Sequence, residues 1–169
     1  MHPLHSVSVR GRVAYALQCL EVALQHVDPD PPRWLPLLDR LWSYTSTALL
    51  DGWQDMASEC LPAVVTCDDP RDFDFLSGSE ARHLRGLYAG SPSLIGELVD
   101  RVYDVATLAL FGGLGEAGGT SVSELREIER ALVQADVPLP DPAQVLPYPF
   151  AEHGGWGRPF DAAPLRRIS

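Results

Sequence analysis

The sequence predicts an all-α protein, a single domain of about five to six helices with an irregular C-terminal tail packed on it. Three observations carry this reading. Apolar residues recur at intervals of three and four through most of the chain up to Val137, the spacing of one helix face. No segment shows the sustained alternation of a half-buried strand. Proline, glycine and capping residues cluster between the periodic segments, where helices start and stop. A chain of 169 residues can bury enough surface to fold without a disulfide or metal staple.

The first segment, Val13, Leu17, Leu20, Leu24 and Val27, places its apolar side chains on one face, with Arg10, Arg12, Gln18, Glu21 and Gln25 mostly off it. Asp28-Pro29-Asp30-Pro31-Pro32 then stops the helix, because proline lacks the N–H and restricts the residue before it. A second helix, with Pro36 in its first turn, carries Leu35, Leu38, Leu41, Trp42, Thr45 and Leu49 inward. A third stripe, Trp53, Met56, Ala57, Cys60, Leu61 and Val64, contains Pro62, which should kink or restart it. Cys67 to Phe75 reads as an acidic loop. Ser77 and Glu80 have capping-box spacing before a short helix over 81–88. Ser91-Pro92 opens a fifth helix carrying Ile95, Leu98, Val99, Val102, Ala106 and Ala109, which Gly112-Gly113 stops. The glycine-rich stretch 112–119 is a connector. Ser121 and Glu124 form a second capping-box pattern before a sixth helix with Leu125, Ile128, Leu132 and Ala135 inward.

Residues 138–169 hold seven prolines and three glycines and show no helical period. Tyr148, Phe150, Trp156 and Phe160 make this stretch too aromatic for simple disorder. The chain therefore divides into a helical domain over 1–141 and an irregular tail over 142–169 docked on it.

Composition excludes several chemistries. All 13 cations are arginine, and the chain has neither Lys nor Asn. It therefore has no phosphate-loop lysine, no Schiff-base lysine and no N-glycosylation acceptor. A net charge of −10 disfavours nucleic acid and anionic membranes as partners and suits a basic one. No apolar run reaches membrane-span length. The opening MHPLHSVSVRGR lacks the apolar core of a signal peptide, so a cytoplasmic protein is expected.

Candidate chemistry is sparse. Asp68-Asp69-Pro70-Arg71-Asp72 has the DDxxD form with which all-α terpene synthases hold Mg²⁺ on a diphosphate. The chain is too short for that fold, the family's second metal motif needs Asn, and Pro70 disturbs the helix the motif requires. The five histidines, His2, His5, His26, His83 and His153, form no HxxxH or HExxH pattern, and there is no GxSxG. The glycines at 112–119 follow a helix rather than a strand, unlike a dinucleotide fingerprint. Neither a cofactor nor a catalytic residue is assigned. Cys19, Cys60 and Cys67 read as buried small apolar residues; two helical turns, about 10 Å, separate the last two, too far for a disulfide. Trp42 and Trp53 fit the apolar stripes, whereas Trp34 precedes its stripe and is the candidate for an exposed, partner-facing tryptophan.

Asp68, Asp69, Asp72 and Asp74 against Arg71 concentrate negative charge, and Phe73 and Phe75 add apolar anchors among them. That combination suits docking onto a basic protein surface. Asp100 and Asp104 are acidic neighbours assigned to the same partner-binding surface. Residues 68–120 hold nine acids against four arginines, so the middle of the chain carries much of the net charge.

Ala14-Tyr-Ala-Leu-Gln-Cys-Leu-Glu21, followed by Trp34-Leu-Pro-Leu-Leu-Asp-Arg-Leu-Trp42-Ser-Tyr44, resembles the all-α immunity proteins of bacterial polymorphic-toxin and contact-dependent inhibition systems. The late segment Ser123-Glu-Leu-Arg-Glu-Ile-Glu-Arg-Ala-Leu132 with Leu139-Pro-Asp141 extends the likeness to about residues 12–141. The resemblance implies a non-enzymatic cytoplasmic protein, a monomer or weak homodimer, that binds and neutralises one cognate toxin. A toxin that attacks nucleic acid, such as a nuclease, would present the basic surface an acidic inhibitor fits. Two other classes stay open: a small metal-dependent all-α enzyme using Asp68, Asp69 and Asp72, and a self-associating regulatory helical module.

Overall fold

In the computed structural model, which describes residues 3–67, 72–112 and 119–169, the first periodic segment forms α1 (Val9–Val27). Ser8 caps it, its Oγ accepting the Gly11 N–H. The following elements are α2 (Leu35–Trp42), α3 (Leu50–Ser58), α4 (Pro62–Cys67), α5 (Gly78–Ala89), α6 (Ser93–Gly112) and α7 (Gly119–Gln134). Short 3₁₀ turns precede α1 and α2, follow α2, and punctuate the tail. The described residues form an all-α domain whose sole β feature is an isolated antiparallel bridge between Val7 and Pro149.

Helix α1 is the axis of the core. It packs against α6, α7 and α2, and every residue from Val9 to Leu24 is buried. Arg10, Arg12, Gln18 and Glu21 do lie off the apolar stripe, yet they are buried too. The tail accounts for part of this, chiefly at Gln18 and Glu21. Tyr148 O accepts the Ser8 N–H at 2.8 Å and Trp156 O accepts the Arg10 N–H at 3.1 Å. Gln18 Nε2 donates to Leu165 O at 3.0 Å. Glu21 accepts from the Arg167 backbone N–H at 2.6 Å and from Trp42 Nε1 at 2.8 Å. The tail, with Val145, Ala162, Leu165 and Ile168 buried, thus supplies several of the hydrogen bonds that buried polar groups require.

The two arginines are held largely by carbonyl oxygens. Arg10 donates to the carbonyls of Tyr44, Thr47 and Gly157. Arg12 donates to Leu4 O at 3.1 Å, His5 O at 3.0 Å and Ser121 Oγ at 2.8 Å, with its guanidinium over the Phe150 ring. Burial pushes the Arg12 pKa down to about 10, so it remains protonated at neutral pH. Each arginine joins segments far apart in sequence, which makes both of them structural cross-links.

Several expectations are corrected. The second helix ends at Trp42, because Ser43 Oγ bonds back to Arg40 O and Thr45 Oγ1 to Trp42 O, tightening the chain into a 3₁₀ turn. The helical phase is lost there, and Leu49 is exposed rather than inward. Pro62 does restart the third stripe, so α3 and α4 are separate and Val65, not Val64, is the buried valine. Trp34 is fully buried; its Nε1 donates to Asp28 Oδ2 at 2.7 Å, and its ring meets Tyr88 edge-on. Ser121 is no helix cap: α7 starts earlier, and the buried Ser121 hydroxyl serves Arg12 instead. Ala135 lies beyond the end of α7 and is exposed. Cys67 is exposed, whereas Cys19 and Cys60 are buried as expected.

Candidate partner-binding site

The acidic segment leaves α4 at Cys67 and enters α5 at Gly78. Asp68 and Asp69 lie outside the described residues, as do the glycines at 113, 115 and 118. Among the rest of the segment, Asp72 and Asp74 are exposed, Phe73 packs partly on the core, Phe75 is 45% exposed and Leu76 is buried. Phe75 is therefore the ring offered to solvent, between carboxylates and a buried anchor.

Glu59 fixes this arrangement. It is the C-cap residue of α3, where a carboxylate opposes the helix dipole. Its side chain reaches across to accept three successive backbone N–H groups: Asp74 at 2.7 Å, Phe75 at 2.8 Å and Leu76 at 2.9 Å. These charge-assisted bonds offset the unfavourable position and set the loop's path. The capping box at Ser77 then launches α5. Glu80 N–H donates to Ser77 Oγ at 3.2 Å, and Ser77 N–H to Glu80 Oε2 at 2.8 Å. The bonds from Ser77, together with Arg40 at 2.7 Å, hold the Glu80 carboxyl down at about 2. The part of the loop that leads into α5 is thus pinned to α3 through Glu59, and the first turn of α5 to α2 through Glu80.

Asp100 and Asp104 lie one turn apart on α6. Partial loss of hydration raises both carboxyls above the usual range; Asp104 and Glu97 raise Asp100 further by repulsion, while Arg101 holds Asp104 partly down. A neighbouring cation would relieve that strain. The loop residues and this pair occupy different elements, and the hydrogen bonds that organise the loop do not involve α6.

Sequence reading missed Glu59. Its partners lie fifteen to seventeen residues ahead, so no local motif reveals the clamp. The only signal was an acid against a helix C-terminus, a local rule broken without a local gain.

Among the described residues, no group of three or more His, Cys, Asp or Glu side chains is placed to hold a metal ion. No helix there is long and apolar enough to cross a membrane. Burial pushes the Cys60 thiol up to about 12 and the Cys19 thiol higher still, so neither presents a thiolate at neutral pH. His83 is exposed, with Nε2 3.2 Å from Arg33 O. No family model, curated protein or solved structure matches this chain.

Proposed function

We propose that this chain is an immunity-type inhibitor: a non-enzymatic, cytoplasmic, acidic protein that binds and neutralises a basic protein toxin through the surface around residues 68–75. The observation that carries the reading is the Glu59 clamp. It holds Asp74, Phe75 and Leu76 in one backbone path, so an apolar ring stands among carboxylates before any partner arrives. Pre-organisation of this kind lowers the ordering cost of binding. The net charge of −10 supports steering towards a basic surface. The likeness of residues 12–141 to immunity proteins points the same way.

The test is the affinity of the purified chain for the protein encoded beside it, measured by titration calorimetry. Asp72→Arg with Asp74→Arg should abolish binding while the helical circular dichroism stays unchanged. Equal affinity of the variant would remove the loop from the interface.

A further inference from the structure

Behind the loop lies a cavity of about 180 Å³ between α2 and α5. Its walls are apolar: Pro36 and Leu37 from α2, Leu84 and Leu87 from α5, Cys60, and Leu76 from the loop itself. Two of these connect it directly to the acidic surface. Leu76 is the last residue whose N–H Glu59 holds, and Cys60 follows Glu59 in the chain.

The size of the cavity restricts its occupant. Drug-sized ligands and cofactors fill pockets of about 300–1,000 Å³, whereas an apolar cavity of about 150 Å³ takes one benzene. One aromatic or branched aliphatic side chain matches the space here. The rim carries Arg33, Arg40, Glu80 and His83, but each arginine already faces an acid: Arg33 pairs with Asp28 and Arg40 with Glu80. The rim is thus close to neutral and gives an anionic ligand little net attraction. Glu59, whose carboxylate holds both the Asp74 and the Leu76 N–H, adds negative charge beside it, as does Asp74, two residues before Leu76.

We propose that the cavity is a socket for a single apolar side chain, of phenylalanine or leucine size, carried next to a cationic residue on a protein partner. This deepens the inhibitor reading and rests on it. The partner's ring fills the space between Leu37, Leu76 and Leu84 while its flanking cation meets the carboxylates of the loop. An aromatic anchor buried in a well-packed, desolvated pocket is a common form of interface hot spot.

Short capped peptides test the socket without the toxin, so failure here leaves the charge-reversal experiment on the full partner standing. The probes are acetyl-Phe-Arg-amide, acetyl-Ala-Arg-amide and acetyl-Phe-Glu-amide, titrated to about 10 mM, where contacts of a few kcal/mol register. Backbone amide NMR on the full chain is the readout. The first peptide should shift Leu76, Ser79 and Leu84. Replacing its Phe by Ala should weaken binding about tenfold or more, as losing one hot-spot side chain does. Replacing its Arg by Glu should weaken it about threefold to tenfold, with the difference shrinking in salt. Ser79 is exposed in the first turn of α5 and lines the mouth, so Ser79→Trp should fill the entrance and abolish the shifts without unfolding the helix. Three results would overturn the proposal: no shift at these amides, equal binding of the Ala peptide, or equal or tighter binding of the Glu peptide. The last would mean that the socket serves an acidic segment.

Discussion

Replacing Glu59 by Ala removes the acceptor for three consecutive N–H groups at once. Hydrogen bonds to charged groups contribute about 1.5–3 kcal/mol each when shielded, and about 0.5–1.5 kcal/mol where water can substitute. Leu76 is buried, so its bond belongs to the first range; Asp74 and Phe75 are exposed, so theirs fall at the low end of the second. Removing an acid from the C-cap of α3 returns a few tenths of a kcal/mol. The net expectation is a loss of about 2–4 kcal/mol. For a chain of this length that lowers Tm by about 4–10 °C. Glu59→Gln should lose less, because its amide oxygen still accepts while its NH₂ cannot. Amide hydrogen exchange gives the local readout. Protection at Asp74, Phe75 and Leu76 should collapse in Glu59→Ala, while α1 amides slow or speed only with global stability. Unchanged exchange at those three amides, with Tm within about 1 °C of the parent, would refute the clamp.

Other expectations follow from the same geometry. Arg12→Met removes the guanidinium that donates to Leu4 O, His5 O and the Ser121 hydroxyl and should cost about 2–4 kcal/mol in urea denaturation; a cost under about 0.5 kcal/mol would mean that water replaces the guanidinium. Gly157 has φ +81°, and a Cβ there would run into the Ser8 side chain that caps α1. Gly157→Ala should therefore destabilise by about 1–3 kcal/mol and loosen the tail, seen as faster exchange at the Arg10 amide. The Glu80 carboxyl sits at about 2 when folded, below the ordinary range of about 4.3. The unfolded chain therefore binds the extra proton first, and this contribution to stability, complete above about pH 4.5, is lost as pH falls towards 2. Glu80→Gln should flatten that part of the melting profile. Glu21 acts in the opposite sense, since burial raises its pKa and its charging costs stability as pH rises.

The parts of the fold visible in sequence were those set by local physics. The capping box at Ser77 and Glu80 was readable because both halves lie within four residues, and the proline block after Val27 because proline acts on its neighbours. The same pattern at Ser121 and Glu124 misled, since α7 gains an extra turn from Gly119 and the hydroxyl is recruited by Arg12, more than a hundred residues away. Trp34 looked exposed because it precedes its stripe; Asp28 and Tyr88 draw it inside. Periodicity places Arg10, Arg12, Gln18 and Glu21 off the apolar stripe, yet all four are buried, because their partners come from distant segments: the turn before α1, the turn after α2, α7 and the tail, which has no period of its own. For the candidate site, composition marked the acids and phenylalanines, yet what sets their arrangement is Glu59, contributed by a different element.

If a pre-organised acidic loop binds a basic toxin and silences it, the effect is visible in cells. The most direct measurement is growth of cells expressing the neighbouring gene product, with and without this chain, using the wild type and Asp72→Arg/Asp74→Arg at equal abundance. The wild type should restore growth, and the variant should not, although its melting curve is unchanged. Equal protection by both proteins would contradict the claim for this loop, and a neighbouring protein that neither binds the chain nor harms the cell would contradict the inhibitor reading itself.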